Sequence, residues 1–547
     1  MIDGVARLFG VLPWLLLLAW TSAPAQQVRV VDQDGIAIAG AMVTRTQTGA
    51  NVVDNSDNGY PKEGVTNRVA PRETRFTDAS GAVGFAPLPA GTTGNIRVRA
   101  QGYRDVNAPL EDFDKIENPT IRLERIDDAR ELAETKPSNL WLSQLEFDWA
   151  DDPALAREHF LRHCGFCHQQ ASPFMRLSRT EQQWADILQR MNVYGAMAAE
   201  DFVEPAAEGL ESAYARLNAS YKTLPDFEDW HPDLADSRIE EWPIGDGLSQ
   251  MHDFLLHPNG KVYVGDNLMD RIYEVDVEAN TYRVFKVPHA DGAKIGGILG
   301  DRLGQYPKTE NYSGVHSFAL SPSDGHIFLT PSMQRELIEF DPDSGEFFHY
   351  PMDEGFYPHT IRADSHDRIW FTLALSSQVA MFDRVTKEFT YFDLPPRSLR
   401  ERVTLWIVKW RLGSGRVSSP PDYDWETSGF PMPYGIDISP VDGSVWVARL
   451  YADDIARIDP QTGDVDMIET PFDAPRRLRI DAEGNVWMVG FSGGLIAKYD
   501  PAAKEFSEYP LPVISETPYA LNVDRKRGVV WVNGNQSDTI MSFDIES

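Results

Sequence analysis

From residue 238 to the end of the chain one pattern recurs about every 40 residues. Each unit has an apolar strand, a turn with Gly or Asp, a second strand built on Val/Ile–aromatic–aliphatic, and an alternating strand that ends on Asp. A segment of the form F-x-x-Y-x-x-P then closes the unit. The second strands are Val262-Tyr263-Val264, Ile327-Phe328-Leu329, Ile369-Trp370-Phe371, Val445-Trp446-Val447, Val486-Trp487-Met488 and Val530-Trp531-Val532. The closing aspartates are Asp276, Asp341, Asp383, Asp459, Asp500 and Asp544. Strands this short bury both faces only when four-stranded units stack around an axis, so residues 238–547 are expected to form a β-propeller. Six blades are expected, and the insertions at 289–312 and 396–431 leave room for a seventh. The last repeat lacks its outer strand. Arg238-Ile239-Glu240-Glu241-Trp242-Pro243 matches the missing segment and is expected to complete the last blade, which would remove an open edge.

Superposing the repeats on one another brings six residues to one position, the start of the innermost strand: His252, His316, His359, Tyr434, Arg476 and Tyr519. Blade symmetry points them at the axis. Three imidazoles from consecutive blades suit a second metal ion, an acid–base site or simply a polar, water-filled mouth.

These repeats resemble the streptogramin (virginiamycin B) lyase family of propellers over about 310 residues. That resemblance implies a site with one His from each of two neighbouring blades, a Glu two residues before the second His, and a magnesium ion. His316 and His359 match the two His, while Tyr357 stands where the Glu is expected. Glu354 is the nearest carboxylate in the preceding loop. Propellers host many reactions, so the fold alone does not assign one.

The chain has two cysteines, both in Cys164-Gly165-Phe166-Cys167-His168. C-x-x-C-H is the spacing that attaches haem covalently, and the adjacent imidazole reaches the iron. A zinc site would need about four N/S ligands, and a thioredoxin-like pair prefers a strand-to-helix junction. Here Asp152 and Pro153 start a helix that runs into the motif. Downstream, Ser178-Arg179-Thr180-Glu181 reads as a capping box, and Trp184, Ile187, Leu188 and Met191 follow with helical spacing. The R-x-x-x-x-W-x-x-x-x-x-R-M pattern ending at Arg190-Met191 resembles small periplasmic cytochromes, which implies Met191 as sixth ligand. Met197, Met175, another His or an open site are the alternatives.

Haem attachment requires export. Arg7 precedes an apolar run from Leu8 to Trp20, and Ala23-Pro24-Ala25 is a small-x-small cleavage site, so residues 1–25 read as a signal peptide. No later segment has ~18 consecutive apolar residues, so a soluble periplasmic or secreted protein is expected. The net charge of −32 disfavours nucleic acid and anionic lipid and suits a basic redox partner protein.

Residues 27–123 alternate as β-strands. Asp34-Gly35 with Gly40-Ala41-Met42-Val43, Thr77-Asp78 through Gly81 to Phe85, and Leu88-Pro89-Ala90-Gly91 resemble the carboxypeptidase regulatory-like (transthyretin-like) β-sandwich, interrupted by a polar insertion near Asn51–Arg72. That resemblance implies a structural or adhesive module. The expected organisation is therefore mainly β: signal peptide 1–25, sandwich 27–123, linker 124–150, small all-α cytochrome c-like domain 151–225 and propeller 238–547. The expected function is a haem c oxidoreductase whose propeller binds a small organic substrate. A lyase with an accessory haem, or a non-enzymatic binding and electron-relay scaffold, are the alternatives. No dinucleotide fingerprint, P-loop or G-x-S-x-G elbow is present.

Overall fold

The computed structural model describes residues 26–48, 63–88, 92–112, 116, 118–165, 167–194, 196–227, 230–300, 310–415, 430–537 and 539–545. The signal-peptide segment, the tip of the Leu88–Gly91 turn, most of the polar insertion, Phe166, Gly195 and parts of both propeller insertions lie outside them. The chain divides into two compact units.

In the first unit, a three-stranded sheet (Ala82–Phe85, Gln26–Asp32, Thr120–Leu123, in that order) shares its core with a five-stranded sheet. Val28, Val30, Val83, Phe85, Ile121 and Leu123 from one sheet meet Val43, Ile96 and Val98 from the other, the alternation that a half-buried strand requires. The edge of the five-stranded sheet is Arg238–Glu241, hydrogen-bonded beside Arg72–Phe76. This corrects the expectation that the segment completes the last blade. Arg238 Nε reaches Glu73 Oε1 at 3.1 Å, and Glu73 also holds Arg45 and Arg75, so the charge pattern of this strand suits the sandwich edge.

The second unit holds six consecutive antiparallel sheets, starting at Met251, Val315, Pro358, Pro433, Pro475 and Pro518. Their innermost strands neighbour one another in chain order, which defines a propeller. Apolar clusters fill the spaces between consecutive blades; one joins Tyr263 and Ile272 of blade 1 to Phe318, Leu329 and Phe340 of blade 2. The sixth blade has three strands among the described residues. Phe254 and Leu256, on the innermost strand of blade 1, stay exposed. Blade 1 instead gains an outer strand, Asn67–Arg68, from within the polar insertion. Neither described part of the two propeller insertions adds a blade; residues 399–413 form a helix, Leu399–Gly413.

The repeat signature has local causes. Asp341, Asp383, Asp459 and Asp500 each accept two backbone N–H groups two and three residues on, an Asx turn that reverses the chain between the third and fourth strands. The buried Trp370 and Trp487 tie their indole N–H to Asp364 and Asp481 in the preceding turn, which satisfies the one polar group that burial would otherwise strand.

The second unit also contains the helices α1 (Ala129–Glu134), α2 (Ser138–Leu142), α3 (Pro153–Cys164), α4 (Glu181–Tyr194) and α5 (Glu200–Ala219). Residues 124–150 are not a linker. Trp141, Leu142, Leu145 and Phe147 are buried with Phe160, Trp184, Leu188 and Tyr214 in one core; their apolar side chains override the charged and polar residues between them. Asp152 caps α3 by accepting from the N–H of Ala154 and Leu155 (3.1 Å each). The reciprocal cap of α4 is Thr180 with Gln183 rather than Ser178 with Glu181: Thr180 N–H donates to Gln183 Oε1 (2.9 Å) and Gln183 N–H to Thr180 Oγ1 (3.4 Å). No helix among the described residues is long and apolar enough to cross a membrane.

Candidate functional site

Each of the six innermost strands breaks register at its start, at Met251/Asp253, Val315/Ser317, Pro358/Ile361, Pro433/Ile436, Pro475/Leu478 and Pro518/Ala520. A bulge re-aims side chains, and the six residues that the repeats superpose all fall in these breaks. The structure brings them into one ring. Imidazole centroids of His252 and His316 are 3.9 Å apart, as are those of His316 and His359, and His359 lies 4.1 Å from Tyr434. The Arg476 guanidinium then sits 4.5 Å from the Tyr434 ring and 3.2 Å from the Tyr519 ring.

Burial and charge keep the imidazoles neutral. His252 is held down to about 4, chiefly by burial and then by Arg477. His316 and His359 lie well below the usual imidazole range, from burial first and then from neighbouring imidazoles and the guanidiniums of Arg476 and Arg477. His252 Nδ1 donates to the His316 carbonyl (2.8 Å) and His359 Nδ1 meets Thr360 Oγ1 (2.9 Å), while His316 Nδ1 is buried without a hydrogen-bond partner. The three imidazoles do not bring one ligand atom each within 4.8 Å of one another. With two arginines beside them, the ring is arranged for an anion or a neutral polar group rather than a cation. The cluster that does meet this spacing, Asp324, His326 and Glu339, already has Arg384 at 2.7 Å from each carboxylate. Tyr357, with φ +62°, keeps its ring 6.2 Å from His359 and 6.3 Å from His316. Glu354 is exposed and accepts from Gln378 (3.3 Å), so neither Tyr357 nor Glu354 supplies the carboxylate of the lyase-type site.

Gly165 lies at the start of the innermost strand of blade 6, through Gln536, which bonds both its carbonyl and Thr517 Oγ1 (3.3 Å each). Gly165 caps α3, and its carbonyl accepts from Asn535 Nδ2 and from Gln536 Nε2 (3.3 Å) in blade 6. Gln536 Oε1 accepts from the Gln170 N–H (3.1 Å), so one fully buried side chain clamps both ends of the loop. Inside it, Gln170 Nε2 donates to the carbonyls of Cys164 and His168 (3.0 Å) and sits 3.4 Å from His168 Nδ1. Upstream, the nearly buried Arg162 bonds Asp453 (3.1 Å) and Glu158, and Glu158 accepts from Ser492 (2.7 Å). His163 stacks on Tyr451 at 4.7 Å.

Both thiols are free, Cys164 half-buried and Cys167 exposed at its surface. Surrounding protein raises the Cys167 thiol, and the Arg476 guanidinium of the ring opposes that rise. A pair of free thiols at this spacing beside an exposed imidazole is a donor set that fits haem c.

The candidate methionines go to three different places. Met175 is buried in the helical core. Met197 is buried over the ring, packed with Leu450, Tyr451, Phe491 and Leu405 of the Leu399–Gly413 helix, and with Tyr434. Met191 is half-buried at the end of α4, outside the helical core. Sequence reasoning missed His159 and His163, which share one face of α3 with ring centroids 4.2 Å apart and planes tilted by 35°; their i, i+4 spacing was the available signal. It also missed Tyr451, Gln170 and Gln536, whose roles depend on contacts across hundreds of residues.

No family model matches the chain, and no curated protein matches its sequence. Among solved structures, it is similar to a catalytically inactive virginiamycin B lyase from Staphylococcus aureus crystallised with quinupristin (15% identity, 56% of this chain and 84% of that one, TM-score 0.42). A streptogramin B lyase structure matches at 16% identity over 53% of this chain and 77% of that one, TM-score 0.39. A gluconolactonase from Xanthomonas campestris matches at 12% identity over 53% and 84%, TM-score 0.33. These similarities carry nothing about the activity of this chain.

Proposed function

We propose that the chain is an exported c-type haem protein of oxidoreductase type, in which a small organic molecule binds at the propeller mouth and exchanges electrons with the haem. What carries this reading is that Gln536, which holds Gly165 and Gln170 around the two thiols, also bonds Thr517, two residues before Tyr519 of the ring. Cys164 and Cys167 would hold the haem and His168 its iron, and a bound haem supplies a one-electron centre there. The neutral imidazoles of His252, His316 and His359 can accept or donate a hydrogen bond to a ligand, and Arg476 fixes positive charge beside it. Met197 and the Leu399–Gly413 helix cover the ring with apolar surface, which limits water at the mouth. Met191 remains the candidate sixth ligand because it is outside the helical core, whereas Met175 and Met197 are committed to packing. The acidic surface favours a basic redox partner. The lyase alternative is weakened because Tyr357 stands at the position of the lyase-type Glu, and Glu354 is exposed and bonded to Gln378.

The test is export of the full chain from a host that matures c-type cytochromes. One haem per chain that survives denaturing electrophoresis is expected, together with a reductant-dependent spectrum. Replacing both Cys164 and Cys167 by serine should abolish the covalent haem. Met191→Ala should remove any methionine–iron charge-transfer band. A mature chain without covalent haem, or a haem spectrum that no reductant changes, overturns the reading.

A further inference from the structure

The axial channel beside the ring carries charge that the protein does not neutralise. Three guanidiniums, Arg362, Arg477 and Arg479, gather there with two carboxylates, Asp253 and Asp437, beside Arg476 of the ring. The carboxylates are partly spent elsewhere. Asp253 accepts from Ser317 Oγ (2.5 Å) and the Phe318 N–H (3.3 Å), and Asp437 accepts from the Ile480 N–H (3.0 Å). Asp437 lies 3.6 Å from Arg362 and 3.9 Å from Arg525.

Among the described residues, no carboxylate lies within 4.0 Å of Arg477 or Arg479. Arg477 spends one N–H on Thr360 Oγ1 (3.0 Å), Arg479 one on the Leu478 carbonyl (2.8 Å). Arg477 is 9% exposed and Arg476 is fully buried, and the Nε of each has no hydrogen-bond partner. His316 Nδ1, buried in the adjoining ring, has none either. Buried donors without acceptors cost free energy, and unpaired buried charge costs more. Burial and the neighbouring guanidiniums press Arg479 down to about 9. This surplus of positive charge sits inside a chain of net charge −32, so it is a local arrangement and not a drift of composition. A guanidinium's planar fork suits the two oxygens of a carboxylate or phosphate.

We propose that the propeller's axial channel is a binding site for the oxyanion of a small molecule, a carboxylate or a phosphate, held by Arg477 and Arg479 with Arg362 and presented to the histidine ring. The proposal rests on the reading of the propeller mouth as a ligand site and names the ligand's chemical class; it does not need the haem. Opposite charge brought into the channel satisfies the free guanidinium donors, and an organic anion anchored this way leaves the rest of its carbon skeleton facing the imidazoles.

The experiment is calorimetric titration and thermal denaturation of the full-length exported protein with inorganic phosphate and with succinate, at constant ionic strength, against chloride. Saturable binding of either anion, with a rise in Tm that chloride does not reproduce, is expected. Phosphate alone would identify a phosphoryl ligand, succinate alone a carboxylate. Arg477→Gln and Arg479→Gln should each bind at least ten-fold more weakly. Their Tm without anion should be equal to or above that of the parent, because each removes a guanidinium with no carboxylate partner, buried at Arg477 and half-buried at Arg479; a purely structural arginine would lower it. Arg479→Lys keeps the charge and should retain part of the affinity if a glutamine variant fails to fold. No saturable binding of either anion by the parent, or unchanged binding in both glutamine variants, overturns the proposal. Haem content, read from the absorption spectrum of the same samples, separates the two readings. Haem without anion binding removes only the anion site, and anion binding without haem leaves that site standing.

Discussion

Replacing Arg449 by methionine is expected to destabilise the propeller by about 3–5 kcal/mol at pH 8, the cost of stranding buried carboxylates without their partner. Arg449 is 0% exposed. Its Nε donates to Asp454 Oδ1 at 2.6 Å, a second N–H reaches Asp454 Oδ2, and Nη1 reaches Glu401 Oε1 at 3.2 Å. Glu401 belongs to the Leu399–Gly413 helix, whose Ser398 cap accepts the Glu401 N–H (3.1 Å). The same helix sends Leu405 into the apolar cover over the ring, so the ion pair couples core stability to the mouth. Burial already lifts the Asp454 carboxyl, with Arg449 opposing. Without Arg449 it rises further, and a carboxyl raised in the folded state regains stability as pH falls through its folded value. The deficit against the parent should therefore shrink from pH 8 towards pH 5. Replacing Arg449, Asp454 and Glu401 together by apolar residues should recover most of the loss. Denaturant midpoints of the three proteins at two pH values decide it; a single variant within about 1 kcal/mol of the parent at pH 8 would refute the argument.

The parent should lose stability steeply below about pH 6.5, the ordinary imidazole pKa. His252, His316 and His359 are neutral in the folded chain, with folded values far below that of the unfolded chain. Below about 6.5 the unfolded chain binds protons that the folded chain refuses, so stability falls by about 1.4 kcal/mol per pH unit for each imidazole, or about 4 kcal/mol per unit for the three. For His252 the loss continues to about pH 4. His159 and His163, held down by burial on α3, add in the same sense. Asp270, pushed up to about 6 by burial, works in the opposite direction between there and the ordinary aspartate range, and offsets about one histidine. Denaturant midpoints between pH 7.5 and 5 should show this slope, and His252→Gln should flatten it by one group's share. A parent whose midpoint is level from pH 7 to 5 would mean that the ring imidazoles are solvated.

The blades were legible because a blade is made locally. Alternation, an Asx turn and a tryptophan tied to its own turn act within about ten residues, so each repeat carries its instructions. The ring was legible for the same reason, since the register break that re-aims His252, His316, His359, Tyr434, Arg476 and Tyr519 lies at one point of each repeat. Arg238–Glu241 was misassigned because its pattern fits two sheet edges, and only the charges around Glu73 distinguish them. Residues 124–150 were misread because charge density hid Trp141, whose burial depends on helices that follow it in the chain.

By itself the sequence determined the repeat, the ring members and the thiol pair, since each is set by short-range spacing. Only the tertiary structure decided that Gln536 clamps Gly165, 371 residues away, at the start of the sixth innermost strand, and that Arg362, Arg477 and Arg479 come close enough to act on one another. Burial of a charge, and the partner it finds or lacks, is a property of distant strands brought together, and spacing along the chain does not encode it.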